Sequence, residues 1–155
     1  MPATVAPVGM VVDCSVALAW HLDDEKTTFT ERVLDLLPST EAWVPALWRL
    51  EFANALLVAQ RRGRISEEWR ATVIEQASRL PIGVDTHLVS LAQISELAAR
   101  YQLTTYDAAY LELALRRKLT LVTLDADLVR AMRAADGTLL TDTGRYPVVP
   151  KRRKK

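Results

Sequence analysis

The stretch LTLVTLDADLVRAMRAADGTLLT, residues 119–141, decides the fold. Leu119 to Thr123 is a short apolar run bounded by polar residues, which reads as a buried strand. Asp125 follows at once and can start a helix reaching about Ala134. Asp136-Gly137 marks a turn, and Thr138 to Thr141 is strand-like again. A strand, a helix and a second strand in so short a span form a βαβ unit with parallel strands.

Outward from this unit the same alternation recurs. Val8 to Val12 is an apolar run that ends at Asp13, and Ser15 is placed to cap a helix through Val16-Ala17-Leu18-Ala19-Trp20. A helix is predicted over about Thr28 to Leu37, stopping before Pro38. Ala42-Trp43-Val44 reads as a strand, and Pro45 opens a helix over about 46–62 that Gly63 ends. Further helices are expected from about Ser66 to Arg79, from about Thr86 to Tyr101, and from Thr104-Thr105 through Arg117, with Ile82-Gly83-Val84 as a strand between the first two. The pattern predicts a three-layer α/β/α domain with a short central parallel sheet over residues 10–150. Residues 1–9 read as a loose extension, and residues 151–155 as a basic tail.

Bulk properties narrow the function classes. At 155 residues the chain is long enough for one good core. The net charge is only +1, and Lys151-Arg152-Arg153-Lys154-Lys155 supplies a quarter of the 20 basic residues, so the rest is mildly acidic. Cys14 is the only cysteine, which excludes an internal disulfide and a Cys-based zinc site; it reads as a small buried hydrophobe. His21 and His87 stand far apart, against a zinc hydrolase. The apolar run from Val8 to Trp20 is broken by Asp13 and lacks a basic leader, so it resembles neither a signal peptide nor a membrane span. A soluble cytoplasmic protein with no membrane contact is expected.

Four acids fall at hydrophobic-to-polar junctions: Asp13, Glu51, Asp107 and Asp125. Asp13 and Asp125 follow strands, and in open parallel sheets sites form beyond those strand ends. Each of the two also has an ordinary explanation as a helix cap. Asp107 has one as the third residue of a capping box with Thr104. Glu51 does not. It sits mid-helix on a stripe with Leu47, Leu50, Asn54, Leu57 and Val58, a face expected to meet the core, where a carboxylate needs a partner such as Arg49 or Arg61. One site holding a divalent cation accounts for all four, because hard carboxylate oxygens suit Mg²⁺ or Mn²⁺. Asp127 offers a fifth acid, or else an exposed first-turn aspartate favoured by the helix dipole. Asp125-Ala126-Asp127 does not continue as a calcium loop, because Leu128-Val129 occupy ligand and glycine positions. Only five glycines are present, and no glycine-rich phosphate loop appears.

The segments VVDCSVALAWHLDDE (11–25), WRLEFANAL (48–56), LTTYDAAYLELA (103–114) and LVTLDADL (121–128), in that order, resemble the PIN-domain nucleases and more closely the VapC-type toxins of toxin–antitoxin pairs. The resemblance implies an endoribonuclease in which Asp13, Glu51, Asp107 and Asp125 bind Mg²⁺ or Mn²⁺ and water attack leaves a 5′-phosphate and a 3′-hydroxyl. It matches Asp127 to a further acid, and Ser15 and Thr123 to small hydroxyl residues beside the site. It also implies an RNA substrate, a VapB-like antitoxin and a homodimer. Arg61-Arg62-Gly63-Arg64 and Arg116-Arg117-Lys118 could contact RNA phosphates or simply stabilise helix C-termini. The second stripe of the 46–62 helix, Trp48, Phe52, Leu56 and Ala59, either packs on the helix from Ser66 through Trp69 and Val73 or forms a dimer or antitoxin surface. The rival readings are a PIN nuclease of RNA maturation, a catalytically silent PIN binding module, and a receiver-like signalling domain. The last would need an acidic pair after the first strand, where this chain has Asp13-Cys14.

Overall fold

A computed structural model describes residues 8–142 of the chain. Five strands alternate with seven helices in the order β1 (Gly9–Val12), α1 (Cys14–Ala19), α2 (Thr28–Leu36), β2 (Glu41–Pro45), α3 (Trp48–Arg61), α4 (Glu67–Ser78), β3 (Gly83–Asp85), α5 (Leu91–Tyr101), α6 (Thr105–Arg117), β4 (Thr120–Val122), α7 (Ala126–Ala134) and β5 (Leu139–Leu140). All strand pairs are parallel, in the spatial order β3-β2-β1-β4-β5. Such pairs need crossovers, and right-handed crossovers dictate the layers. From β1 the chain steps outward to β2 and β3 by way of α1 to α4. It then returns across the sheet to β4 and β5 through α5, α6 and α7, which places those three on the opposite face. Contacts of α1 and α4 with α3, and of α5 and α7 with α6, agree with this division. The three-layer α/β/α fold expected from the alternation is the fold observed.

β1 and β4 lie side by side at the centre, with Val11 opposite Leu121 and Val12 opposite Val122, all fully buried. Strands covered on both faces read as continuous apolar runs, which is why these two were visible in the sequence. The strand order reverses between them, and open α/β sheets place their sites beyond the C-terminal strand ends at such a switch point.

Several local expectations need correction. Asp13, not Ser15, is the N-cap residue of α1, and Ser15 lies inside the helix. Pro45 ends β2 opposite Asp85 rather than opening α3, a position where its missing N–H is tolerated. α5 starts at Leu91, not near Thr86. Ser90 and Gln93 form a reciprocal capping box, a stronger start signal than Thr86 offers. Gly63 adopts φ +72 just beyond α3, a left-handed turn that ends the helix cheaply only with glycine.

Of the two apolar stripes of α3, the one with Leu50 does not face the core as expected, and the aromatic one takes the packing alternative. Trp48, Phe52, Leu56 and Ala59 form its buried face, whereas Leu50 is 77% exposed. Trp48 stacks on Phe52 at 4.8 Å between ring centroids, and His21 meets Phe52 edge-on at 5.9 Å. α3 packs on α1 and α4, and Val73 of α4 is fully buried. The aromatic stripe therefore belongs to the molecule's own core. On the opposite face of the sheet, the C-terminal end of α6 is tied to the edge strand. Arg117 binds the buried Asp85 at 3.0 Å, Arg116 binds its other oxygen, and the Arg117 guanidinium lies 3.8 Å from the Trp43 ring centroid. Burial opposes ionisation of Asp85, but the two guanidinium groups outweigh it and hold its carboxyl below the usual range. Arg64 is likewise engaged, with Asp24 and Glu25. No helix among the described residues is long and apolar enough to cross a membrane. Residues 1–7 of the expected extension, residues 143–150 of the expected domain and the basic tail lie outside the described residues.

Candidate active site

Four segments bring acids within electrostatic reach of one another beyond β1 and β4. Asp13 follows β1 directly, and its backbone N–H donates to the Val122 carbonyl of β4 at 2.9 Å. Although Asp13 is the N-cap residue of α1, its side chain makes no cap hydrogen bond. Its carboxylate is 6% exposed, and one oxygen, Oδ2, accepts from Ser15 Oγ at 2.7 Å and from Thr123 Oγ1 at 2.8 Å. Ser15 and Thr123 thus orient a buried carboxylate. Thr123 Oγ1 also accepts the backbone N–H of Asp125 at 2.9 Å, linking the two strand-end acids through one hydroxyl. Ser15 Oγ accepts the N–H of Leu124 at 3.3 Å and ties the same two segments again.

Asp125 does act as a cap: its Oδ1 accepts the backbone N–H of Leu128 at 2.9 Å. Asp107 stands in the first turn of α6, where the Thr104 hydroxyl accepts its backbone N–H at 3.1 Å. Half of the expected capping box is therefore present, while the Asp107 carboxylate hydrogen-bonds with the Thr104 side chain and feels the charges of Asp125 and Asp13. Glu51 is half-buried on α3, and neither Arg49 nor Arg61 is its partner. The Tyr110 hydroxyl of α6 donates to Glu51 Oε1 at 2.7 Å, and the Tyr110 side chain is fully buried. Tyr110 is the site residue that sequence reasoning missed. Its signal was the spacing, since it lies one helical turn beyond Asp107.

The electrostatics show that these acids share one neighbourhood. Burial pushes the Asp13 carboxyl up, and the charge of Asp125 adds to it against the pull of the two hydroxyls. Burial also raises Glu51; Tyr110 opposes the shift, and Asp13 and Asp107 reinforce it. Asp107 is pushed up to about 6, first by burial and then by the charges of Asp125 and Asp13. No ion pair among the described residues involves any of these four acids. Asp127 is farther out: it is exposed on α7, pairs with Arg130, and contributes a weaker charge to Asp107. Cys14, beside Asp13, is buried, and its thiol is pushed far up by burial and by the Glu51 and Asp13 charges, so it behaves as an inert apolar group.

A cluster of carboxylates without cationic partners fits a hard divalent cation in donor chemistry and in charge. As they stand, no three acidic, histidine or cysteine side chains among the described residues form a ready ligating set. Mg²⁺ retains several waters and needs only one or two direct carboxylate bonds, so a looser cluster remains compatible with it.

Residues 10–134 match the PIN domain family, and the match spans every element from β1 to α7. The chain belongs to the PIN-domain family. This PIN domain is similar to Ribonuclease VapC3 of Pyrobaculum aerophilum, with 29% identity over 127 residues covering 81% of this chain and 95% of the relative. Its fold is that of the crystal structure of PAE2754 from Pyrobaculum aerophilum, with a TM-score of 0.61 and 24% identity over 80% of this chain and 84% of the other. Family and fold are thus those that the four ordered acidic segments implied.

Proposed function

We propose that this PIN domain is a metal-dependent endoribonuclease in which Asp13, Glu51, Asp107 and Asp125 hold Mg²⁺ or Mn²⁺, with Asp127 as an outer ligand. One observation carries the proposal: Asp13, Glu51, Asp107 and Asp125, from four distant segments, are electrostatically coupled to one another, and none of them is in an ion pair among the described residues. Family membership and the likeness to Ribonuclease VapC3 support the reading of RNA as substrate. When bound, the metal would neutralise the cluster, acidify a water and stabilise charge on the phosphate. The protein's own part is positioning. Ser15 and Thr123 fix Asp13, Tyr110 fixes Glu51, and the caps of α6 and α7 fix Asp107 and Asp125. The N-terminal ends of those two helices add partial positive charge where an anionic phosphate would sit.

The decisive experiment is RNA cleavage by the full chain with EDTA, Mg²⁺ or Mn²⁺. Activity should appear only with metal, and Asp13→Asn or Asp107→Asn should abolish it while the circular dichroism spectrum stays native. Full activity of a folded Asp107→Asn protein in Mg²⁺ would remove that residue from the site. Biologically, we read the chain as the toxin of a cytoplasmic toxin–antitoxin pair, acting as a homodimer and neutralised by a VapB-like partner. The likeness to VapC3 is the support for this. Growth arrest on expression, relieved by a small neighbouring gene, tests it; cleavage without arrest would mark a nuclease of RNA processing.

A further inference from the structure

Two large apolar side chains face water directly beside the acids. Tyr106, which precedes Asp107, is 66% exposed, and Leu124, which precedes Asp125, is 44% exposed. Single exposed hydrophobics are common and need no function. Position distinguishes this pair: Leu88 and Leu91 do not adjoin a member of the cluster, and Leu50, which precedes Glu51, lines a groove with Ile74 and Ile82 instead. Tyr106 and Tyr110 make the contrast sharper. They lie four residues apart on α6, so they share one side of the helix. Tyr110 is fully buried with its hydroxyl on Glu51, whereas Tyr106 stands one turn nearer the open end of the helix. Among the described residues it makes no hydrogen bond or ring contact, so the fold does not depend on its ring. A tyrosine placed there presents a flat, rigid π-face beside the acid cluster.

We propose that Tyr106 is a nucleobase-stacking residue that holds an unpaired base of the RNA next to the scissile phosphate, with Leu124 as the apolar wall across the cluster. The proposal rests on the ribonuclease reading above. Carboxylates repel RNA, and bound metal offsets this only at the reacting phosphate. Sequence-tolerant grip on the adjoining nucleotide is what aromatic stacking supplies, since every base has a π-face. It would favour single-stranded over double-stranded RNA, because a base paired within a duplex cannot lie on the ring.

The test uses the full chain, Mg²⁺ and a single-stranded RNA whose cleavage site has been mapped, with anisotropy binding beside cleavage kinetics. Tyr106→Ala should raise KM roughly fivefold to a hundredfold, the range stacking commands, while kcat stays within about twofold. Tyr106→Phe should keep the wild-type KM, because the ring is retained. Leu91→Ala, exposed at the start of α5, should change nothing. A set of RNAs with one abasic nucleotide at successive positions gives the specific readout. One position beside the cut should weaken binding to wild type and leave Tyr106→Ala unaffected. The proposal is overturned if Tyr106→Ala binds like wild type, if Tyr106→Phe loses as much as Tyr106→Ala, or if no abasic position distinguishes the two proteins. If wild type neither binds nor cut RNA with either metal, the ribonuclease reading itself falls, and this proposal with it.

Discussion

The Asp107 carboxyl is pushed up to about 6, by burial first and then by Asp125 and Asp13. Its ordinary value is 3.8, so the folded protein binds this proton more tightly than the unfolded chain. The resulting stability is fully present below about pH 4 and is lost as pH rises through about 6. Above that pH the folded protein carries an ionised Asp107 among like charges. In EDTA, Asp107→Asn should therefore be more stable than wild type at pH 7.5. The gain should be about 1–2 kcal/mol, discounted from the full shift because solvent reaches the group, and it should fade toward pH 4. Thermal melts from pH 4 to 8 measure it. On the proposed reading Mg²⁺ would bind the folded state through the charge the variant lacks, so it should stabilise wild type at pH 7.5 more than the variant. A variant less stable than wild type at pH 7.5 in EDTA would show that the carboxylate is structural. The same residue shows how far sequence reasoning reached. Thr104 and Asp107 were readable as a cap, and the cap forms. The charges of Asp13 and Asp125 lie far away in the chain, and no local pattern could display their approach.

At the scale of elements, legibility followed burial. β1 and β4 are covered on both faces, and their unbroken apolar runs marked them and the acids that follow. α3 was harder, because it carries apolar residues on two sides and a single-helix pattern does not say which side the sheet will cover. The aromatic stripe is the buried one: Trp48 and Phe52 have more area to remove from water than Leu50. Glu51 was singled out for lying on the core-facing side; instead it sits at that face's margin, reached by Tyr110 from α6. A pair of substitutions tests the assignment. Phe52→Ala should cost about 3–4 kcal/mol in urea unfolding, the usual result of emptying a buried aromatic site. Leu50→Ala should stay within about 0.5 kcal/mol of wild type. Comparable losses from both would mean that Leu50 is buried in solution, as a dimer contact would make it; the Leu50→Ala loss would then depend on protein concentration.

At the scale of the whole molecule, charge is distributed against the proposed RNA substrate. The 20 basic and 19 acidic residues nearly balance, yet the site gathers uncompensated acids. Meanwhile Arg64, Arg116 and Arg117 are engaged in ion pairs within the fold. The largest run of cations is Lys151-Arg152-Arg153-Lys154-Lys155. β5 runs parallel to β4 with Leu140 opposite Val122, so Thr141 lies level with Thr123, and the chain leaves β5 on the side where the acids gather. Each phosphate neutralised on single-stranded RNA contributes about 0.7 to the slope of log affinity against log salt. Removing residues 151–155 should therefore flatten that slope by up to about 3.5, weakening RNA binding most at low salt and leaving metal-dependent turnover at saturating RNA unchanged. Anisotropy titrations across a salt series, for the full and shortened chains, give both slopes directly. Identical slopes would leave the RNA grip to the site and its rim alone.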